Sequence, residues 1–197
     1  MGSDLKGNAR MLGRCNDAPA LRSRLRAATQ DNHQSLDDAL GRLDLAVRSE
    51  YACFLRVQVQ ARRGVERWLA SVCPPEWLPP SQVALLESDL SELGCASDNS
   101  HTAFALGDEG PVAWLGTAWV LAGSSLGNKM MERDLSARAP VDWPMAFLRD
   151  PAMPAFFKAL RPLLASTEIN LGAERAAFAT FAHFQAVAER QLTGVDA

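Results

Sequence analysis

The spacing of apolar residues along the chain favours helices. From residue 19 onward apolar side chains recur every three or four positions, and runs of alternating β-branched residues are absent. Ala, Leu, Arg, Glu and Gln, which suit helices, dominate every periodic stretch. The pattern therefore predicts an all-α fold: a single multi-helix domain over residues 19–193, preceded by a flexible leader at residues 1–18.

Prolines, glycines and capping residues divide the domain into helices. Pro19 suits a first helical turn and Gly41 a helix end, which predicts one continuous helix from about 19 to 40. Ser81 is expected to cap the third helix, which Gly94 ends. The other predicted helices cover residues 49–73, a long apolar segment that begins at Gly110-Pro111, residues 152–166 and residues 170–193, with a loop or short helix at 95–107 and an irregular connection around Pro140 and Pro144.

Composition limits the class of protein. The chain has 197 residues, of which 48% are hydrophobic and 22% charged, and this fits one globular domain with a substantial core. A net charge of -3 argues against nucleic-acid binding. No apolar run reaches the roughly 18 to 20 residues of a membrane span, and no signal peptide is evident. We therefore expect a cytoplasmic protein that binds neither nucleic acid nor membrane, with its four cysteines as free thiols.

Two segments carry the candidate chemistry. Leu25-Arg-Ala-Ala-Thr-Gln-Asp-Asn-His33 places a histidine on the first helix, and imidazole is a common ligand of haem iron. Trp119-Val-Leu-Ala-Gly-Ser-Ser-Leu-Gly-Asn128 places Gly123 and Gly127 one turn apart in an apolar helix. Each glycine costs a helix interior about 0.5 to 1 kcal/mol relative to alanine. A flat cofactor pressed between the two helices would explain this cost.

The first helix also supplies a candidate partner for the cofactor's edge. Arg26 is seven residues before His33, so in a continuous helix it lies on the same flank, about 10 Å along the axis. This offset suits an imidazole under the iron and a guanidinium at the edge, where haem carries two carboxylates. His101, in a polar loop segment, and His183, in an aromatic-rich helix, compete for the ligand role. An exposed or core position suits those two better.

The two segments together resemble the biliverdin-producing haem oxygenases. The first is similar to the proximal-helix motif Leu-[Lys/Arg]-x-Ala-Thr-x-x-x-His, and Leu121-Ala-Gly-Ser-Ser-Leu-Gly127 is similar to the distal-helix motif Leu-Glu-Gly-Ser-x-Leu-Gly-Gly of the bacterial branch often associated with phytochromes. The resemblance covers about residues 20–190 in matching order. It implies a helical bundle of the haem oxygenase type.

The resemblance assigns roles to individual residues. It implies that His33 is the proximal iron ligand, and that Arg26 and Thr29 contact the haem, Arg26 as a propionate partner. Gly123 and Gly127 become the distal glycines whose backbone lies over the haem. The implied reaction is oxidative cleavage of haem, both substrate and cofactor, to biliverdin, CO and ferrous iron.

Two residues of the distal helix need separate comment. Ser124 stands where animal enzymes have a distal aspartate, which bacterial members also lack. Asn128 replaces the second glycine of the Gly-Gly pair, and Ala122 replaces a glutamate. The Asn128 amide can crowd the pocket, donate a hydrogen bond to a bound ligand, or point away. Gly123, Ser124, Gly127 and Asn128 form the catalytic set that the resemblance implies.

The resemblance also implies partners. O2 and a soluble electron donor, a ferredoxin or a reductase, are expected because the sequence has no flavin or nucleotide motif. A bacterial phytochrome is a candidate acceptor of the product. Two other interpretations remain open: a non-catalytic haem-binding or regulatory protein of the same fold, which Asn128 favours, and a helical interaction module without a cofactor.

Overall fold

The computed structural model describes residues 20–95 and 102–193. Within these ranges the chain forms α-helices and no strand, which confirms the all-α prediction. The leader predicted at residues 1–18 and the competing ligand His101 lie outside the described residues. The helices are α1 (Leu21–Ala28), α2 (Gln30–Leu40), α3 (Arg48–Val72), α4 (Val83–Glu92), α5 (Ala113–Arg138), α6 (Ala152–Ser166) and α7 (Leu171–Thr193), with a 3-10 turn at Pro75–Trp77.

The prediction of one continuous helix from 19 to 40 is wrong. The backbone leaves helical geometry at Thr29, with φ of -114° and ψ of 8°, and this residue separates α1 from α2. The Thr29 hydroxyl donates a 2.8 Å hydrogen bond to the carbonyl oxygen of Leu25, one turn earlier. Such a bond competes with the backbone ladder and bends a helix. The His33 amide still bonds to the Thr29 carbonyl at 2.9 Å, so backbone hydrogen bonds continue across this α1–α2 corner.

The predicted Ser81 cap is also wrong. Helix α4 begins at Val83, and its N-terminus has no side-chain cap. The Ser81 hydroxyl donates instead to the Glu66 carboxylate of α3 at 2.6 Å. Gln82 holds the N-cap position instead of Ser81, and a hydrogen bond to a carboxylate is charge-assisted. Helix α5 likewise begins at Ala113, a turn after the predicted Gly110 start.

Helix α7 is the centre of the bundle, and α1, α2, α3 and α5 all pack against it. Helices α5 and α7 approach closely at Gly116, where a Cβ atom would overlap the backbone carbonyl of Ala173. At the next residue of α5, the buried hydroxyl of Thr180 donates to that of Thr117 at 3.0 Å. Every residue from Ala113 to Ala118 is buried, as expected for a helix segment surrounded by protein.

The irregular connection around Pro140 and Pro144 is confirmed, and α3 and α4 hold it in place. The Asp89 carboxylate of α4 accepts hydrogen bonds from the amides of Ala146 at 2.8 Å and Phe147 at 2.9 Å. The Tyr51 hydroxyl of α3 donates to the Pro144 carbonyl at 2.8 Å. None of the helices in the described ranges has the length and apolar character that crossing a membrane requires.

Candidate functional site

His33 stands on α2 with its side chain 60% exposed. Its Nδ1 atom lies 2.9 Å from Oδ2 of Asp37, one turn further along the helix. The ring edge packs on Phe181 of α7, with the ring centroids 5.6 Å apart and the planes at 65°. Because the carboxylate only accepts, the hydrogen of this contact is on Nδ1. The arrangement leaves Nε2 as a metal-ligating atom.

Gly123 and Gly127 face open space on α5. A Cβ atom at Gly123 would meet nothing within 4 Å, and one at Gly127 would only touch the Met131 methyl at 4.0 Å. The two glycines lie about 40° apart around the helix, so they share one side. Leu126 and Met130, near that side, are 58% and 76% exposed. This part of α5 thus presents bare backbone and apolar side chains to solvent.

Helix α7 connects the histidine to the glycine helix. Both α2 and α5 pack extensively on α7. Phe181 contacts His33, and Phe184, one turn later, lies 5.9 Å from the guanidinium carbon of Arg62. Arg62 in turn donates to the Ser124 hydroxyl at 2.9 Å. A chain of contacts therefore links the candidate ligand to the candidate distal helix.

Arg26 and Thr29 differ in exposure to solvent. Arg26 is exposed in the last turn of α1, and the bend at Thr29 lies between it and His33. The axial offset of Arg26 from His33 expected for one continuous helix therefore does not hold across this bend. Thr29 is 1% exposed, with its hydroxyl bonded to the Leu25 carbonyl. It lies inside the α1–α2 corner, while Arg26 lies on the surface.

Ser124 and Asn128 both turn towards the protein interior. The Ser124 hydroxyl donates to the Leu121 carbonyl at 2.8 Å and accepts from Arg62. Asn128 is 5% exposed, and it lies about 100° around α5 from Gly127, on the side of Ser124. Asn128 also lies about 140° around the helix from Gly123.

Arg62 of α3 is the residue that the sequence analysis missed. Its side chain is fully buried, with the guanidinium carbon 5.2 Å from the centroid of the Phe147 ring. Burial lowers the pKa of Arg62 to about 10, although Glu66 and Asp150 oppose the shift. Arg62 stands at a position where the helical repeat of buried α3 residues predicts an apolar side chain, so it interrupts the apolar stripe. That break was a readable signal in the sequence.

His183 is held in the core of the bundle. Its Nε2 atom lies 3.3 Å from the Ala61 carbonyl, and its ring packs on Phe104 with centroids 5.2 Å apart. Burial lowers the pKa of His183. An imidazole already bonded to the backbone and enclosed by aromatic rings suits a structural role.

Two hollows elsewhere in the described structure contain none of the candidate site residues. One, of about 260 Å³, lies beside Trp68 and Phe104, and the other, of about 540 Å³, lies beside Arg48 and Trp143. No group of three or more His, Cys, Asp and Glu side chains within residues 20–95 and 102–193 could hold a metal ion. The candidate site consists of His33 on α2 and the bare backbone of α5, two helices that both pack on α7.

The arrangement of these helices is the fold of a haem oxygenase. The chain is similar to the haem oxygenase of Neisseria meningitidis, whose crystal structures have NO and CO bound, with a TM-score of 0.67. The sequences are 19% identical, and the match covers 89% of this chain and 94% of the other. No protein-family model matches the chain. A search of curated protein sequences finds no match either.

Proposed function

We propose that the chain is a haem oxygenase that cleaves haem to biliverdin, CO and ferrous iron, using O2 and external electrons. One observation carries the proposal. An exposed imidazole oriented by a carboxylate, at His33, and bare helix backbone at Gly123 and Gly127 occur on two helices that both pack on α7. They occur in a chain with the haem oxygenase fold.

The residues fit haem on the His33 side. Metal-binding histidines usually donate their second ring nitrogen to a carboxylate, which fixes the ring and raises its basicity. Asp37 has this position relative to Nδ1 of His33. Phe181 supports the ring edge, so the imidazole has a defined plane. His33 would therefore hold the iron through Nε2.

The residues also fit haem on the α5 side. A side chain at either glycine would occupy the space that a flat macrocycle needs, and the structure leaves that space open. Leu126 and Met130 add apolar surface, which a porphyrin ring would cover. Haem, when bound, supplies the redox-active iron and the ring edge that is oxidised. Gly123 and Gly127 would exclude water from one face by close backbone contact.

Arg26 and Thr29 complete the proposed haem-binding set. The exposed guanidinium of Arg26 can reach outward to a propionate, for which an arginine fork is well suited. Thr29 acts on the site through the α1–α2 corner that its hydroxyl stabilises, which sets the direction of α2 and of His33. Ser124 and Asn128 line the inner side of α5, behind the glycines.

The proposed partners follow from the reaction. O2 is the co-substrate, and a ferredoxin or a reductase supplies electrons in the cytoplasm, because the sequence has no flavin or nucleotide motif. We also propose a bacterial phytochrome as acceptor of biliverdin. This last proposal is supported only by the likeness of the distal segment to the phytochrome-associated branch.

A non-catalytic haem-binding protein is the second candidate function. Between residues 123 and 128 the α5 segment has no titratable side chain. The Ser124 hydroxyl already bonds to Leu121 and Arg62, and Asn128 is buried. A site without a proton donor of its own would bind haem and leave it intact.

Haemin titration followed by a turnover assay distinguishes these functions. The proposal predicts a saturable Soret band at one haemin per chain, and then its loss with formation of biliverdin when ascorbate is added in air. Biliverdin is identified by chromatography of the extract. A stable Soret band without biliverdin would favour the non-catalytic protein. If no saturable Soret band appears, both functions are contradicted, and the interpretation as a helical interaction module without a cofactor is the one that is left.

A further inference from the structure

The guanidinium of Arg62 is only partly satisfied by protein. An arginine side chain has five N–H donors. Nη2 donates to the Ser124 hydroxyl at 2.9 Å, but Nε and Nη1 are buried and have no partner among the described residues. Phe147 and Phe184 lie against the guanidinium, 5.2 Å and 5.9 Å from its carbon atom. Aromatic rings do not replace hydrogen-bond acceptors for these two nitrogens.

A buried acceptor without a partner belongs to Gln82, the residue before α4. Gln82 is 1% exposed, and its Oε1 atom has no partner within the described part of the chain. Its Nε2 donates to Asp150 at 2.6 Å, and its backbone amide donates to Glu66 at 3.1 Å. These two carboxylates are the ones whose charge favours protonated Arg62. Arg62 and Gln82 therefore share the same pair of acidic neighbours.

The chemistry of the orphaned atoms selects the ligand. Arg62 offers donors and Gln82 offers an acceptor, so a single group that satisfies both must accept and donate. Water does both, and buried waters typically make about three such hydrogen bonds. An anion would satisfy Arg62 but not the Gln82 oxygen, and it would be repelled by Glu66 and Asp150.

We propose that Arg62 is a positioning residue of the distal helix: it holds Ser124 directly and, with Gln82, holds internal water behind α5. The hydrogen-bonded chain runs from the partly exposed Ser124, beside Gly123, through Arg62 and water to Gln82. From there it reaches Glu66 and Asp150, which are partly exposed. The role of this chain towards haem rests on the proposed function, whereas the water site itself does not.

The water site is tested on the protein without haem. A high-resolution crystal structure is expected to show ordered water within hydrogen-bond distance of Arg62 Nε or Nη1 and of Gln82 Oε1. Protein partners for these atoms, or a dry site, would overturn the proposal. A bromide soak adds a check, because an anomalous peak at Arg62 would identify an anion site and overturn the water assignment.

The positioning role is tested on the haem-loaded protein with carbon monoxide as the probe. Arg62→Met removes the charge and the donors at similar volume, so the CO stretching frequency is expected to shift upward. Arg62→Lys, which keeps a cation on a shorter side chain, should shift the frequency upward by a smaller amount. Arg63→Met is the matched control, because it removes the same charge at the next position of α3, where the guanidinium bonds Glu87 instead.

The outcomes separate the two proposals. An unchanged CO frequency in Arg62→Met, or an equal shift in Arg63→Met, would overturn the positioning role. If Arg62→Met does not fold, the comparison of wild type with Arg62→Lys decides, since the shorter side chain must still move the frequency. Failure of the wild type to bind haem would contradict the proposed function and the role towards haem, while the crystal structure would still decide the water site.

Discussion

The two halves of α5 use glycine for opposite purposes. At Gly116 the neighbouring helix is so close that a Cβ atom would overlap the Ala173 carbonyl. At Gly123 a Cβ atom would meet nothing within 4 Å. The first glycine permits two helices to touch, and the second leaves a space that the protein does not fill. Within the described residues, close packing therefore accounts for Gly116 and does not account for Gly123 or Gly127.

The comparison shows that a glycine inside a helix is best interpreted by what offsets its free-energy cost. Each costs about 0.5 to 1 kcal/mol relative to alanine. At Gly116 that cost is offset by helix packing against α7. At Gly123 and Gly127 the described structure gives no offsetting contact, and a bound flat ligand is the offset that we propose.

The largest expected effect of a single change in α5 is that of Gly116→Ala. The added methyl group must displace α7 backbone, so we expect a loss of about 3 kcal/mol in the free energy of unfolding. This corresponds to a fall in Tm of about 6 to 12 °C for a chain of this size. Thermal and denaturant unfolding measure it. An unchanged Tm would contradict the close approach of α5 and α7.

In the protein without haem, the opposite change in stability is expected from Gly123→Ala and Gly127→Ala. Without a clash, alanine is expected to raise the free energy of unfolding by about 0.5 to 1 kcal/mol. Haem affinity and turnover should fall, because the methyl group occupies the proposed haem face. Spectroscopic titration and unfolding are measured together.

Lys129→Ala is the control for both glycine variants. Lys129 is exposed on α5, about 120° around the helix from Gly123, so its removal should leave haem affinity unchanged. If both glycine variants are more stable and fully active, the proposed haem face is wrong and the glycines are merely tolerated.

A smaller effect is expected from Asn128→Gly. The Asn128 amide is buried beside Ser124 and not on the open side, so it acts on the proposed site through the inner side of α5. We expect wild-type turnover to be slow or altered in regiochemistry, and Asn128→Gly to raise its rate or change the ratio of biliverdin isomers. Single-turnover degradation with chromatography of the isomers measures this. Equal rates and isomer ratios would exclude a role for Asn128.

The smallest expected effect is at the C-terminal end of α5. Arg138 donates to Asp134 at 2.6 Å and to Asp44 at 2.9 Å, and it lowers the pKa of the Asp134 carboxyl. A carboxyl whose pKa is lower in the folded state stabilises the fold above its ordinary pKa of 3.8, and this stabilisation disappears as the pH falls through the lowered value.

Arg138→Met tests this end of the helix. The variant should be slightly less stable at neutral pH and should lose less stability on acidification below pH 3.8 than the wild type. Denaturant unfolding at several pH values measures the difference, at low salt because these side chains are exposed. Parallel pH curves for the two proteins would show that the ion pair contributes nothing measurable.

Much of the fold could be predicted from periodicity. Helix α6 has the predicted bounds, and α7 begins one residue later than predicted, because a 3.6-residue apolar repeat runs through both segments. The break at Thr29 could not be predicted in this way. It depends on whether a threonine hydroxyl bonds to the carbonyl one turn back, and the sequence permits either conformation.

The candidate site was predicted in part. The sequence indicated the candidate residues His33, Gly123 and Gly127, and the structure adds the Asp37 contact and the open space at the glycines. The direction of Asn128 depends on how α5 rotates against its neighbours, which local sequence does not determine. Arg62 was overlooked because motif comparison ignores a charge in an apolar stripe.

The coordination of haemin by His33 is the central claim, and a comparison of histidine variants tests it most directly. The account predicts that His33→Ala loses the wild-type Soret spectrum and regains it on addition of free imidazole. His183→Ala, whose imidazole bonds the Ala61 carbonyl, should keep the wild-type spectrum. An unchanged spectrum in His33→Ala, with an altered one in His183→Ala or His101→Ala, would contradict the account.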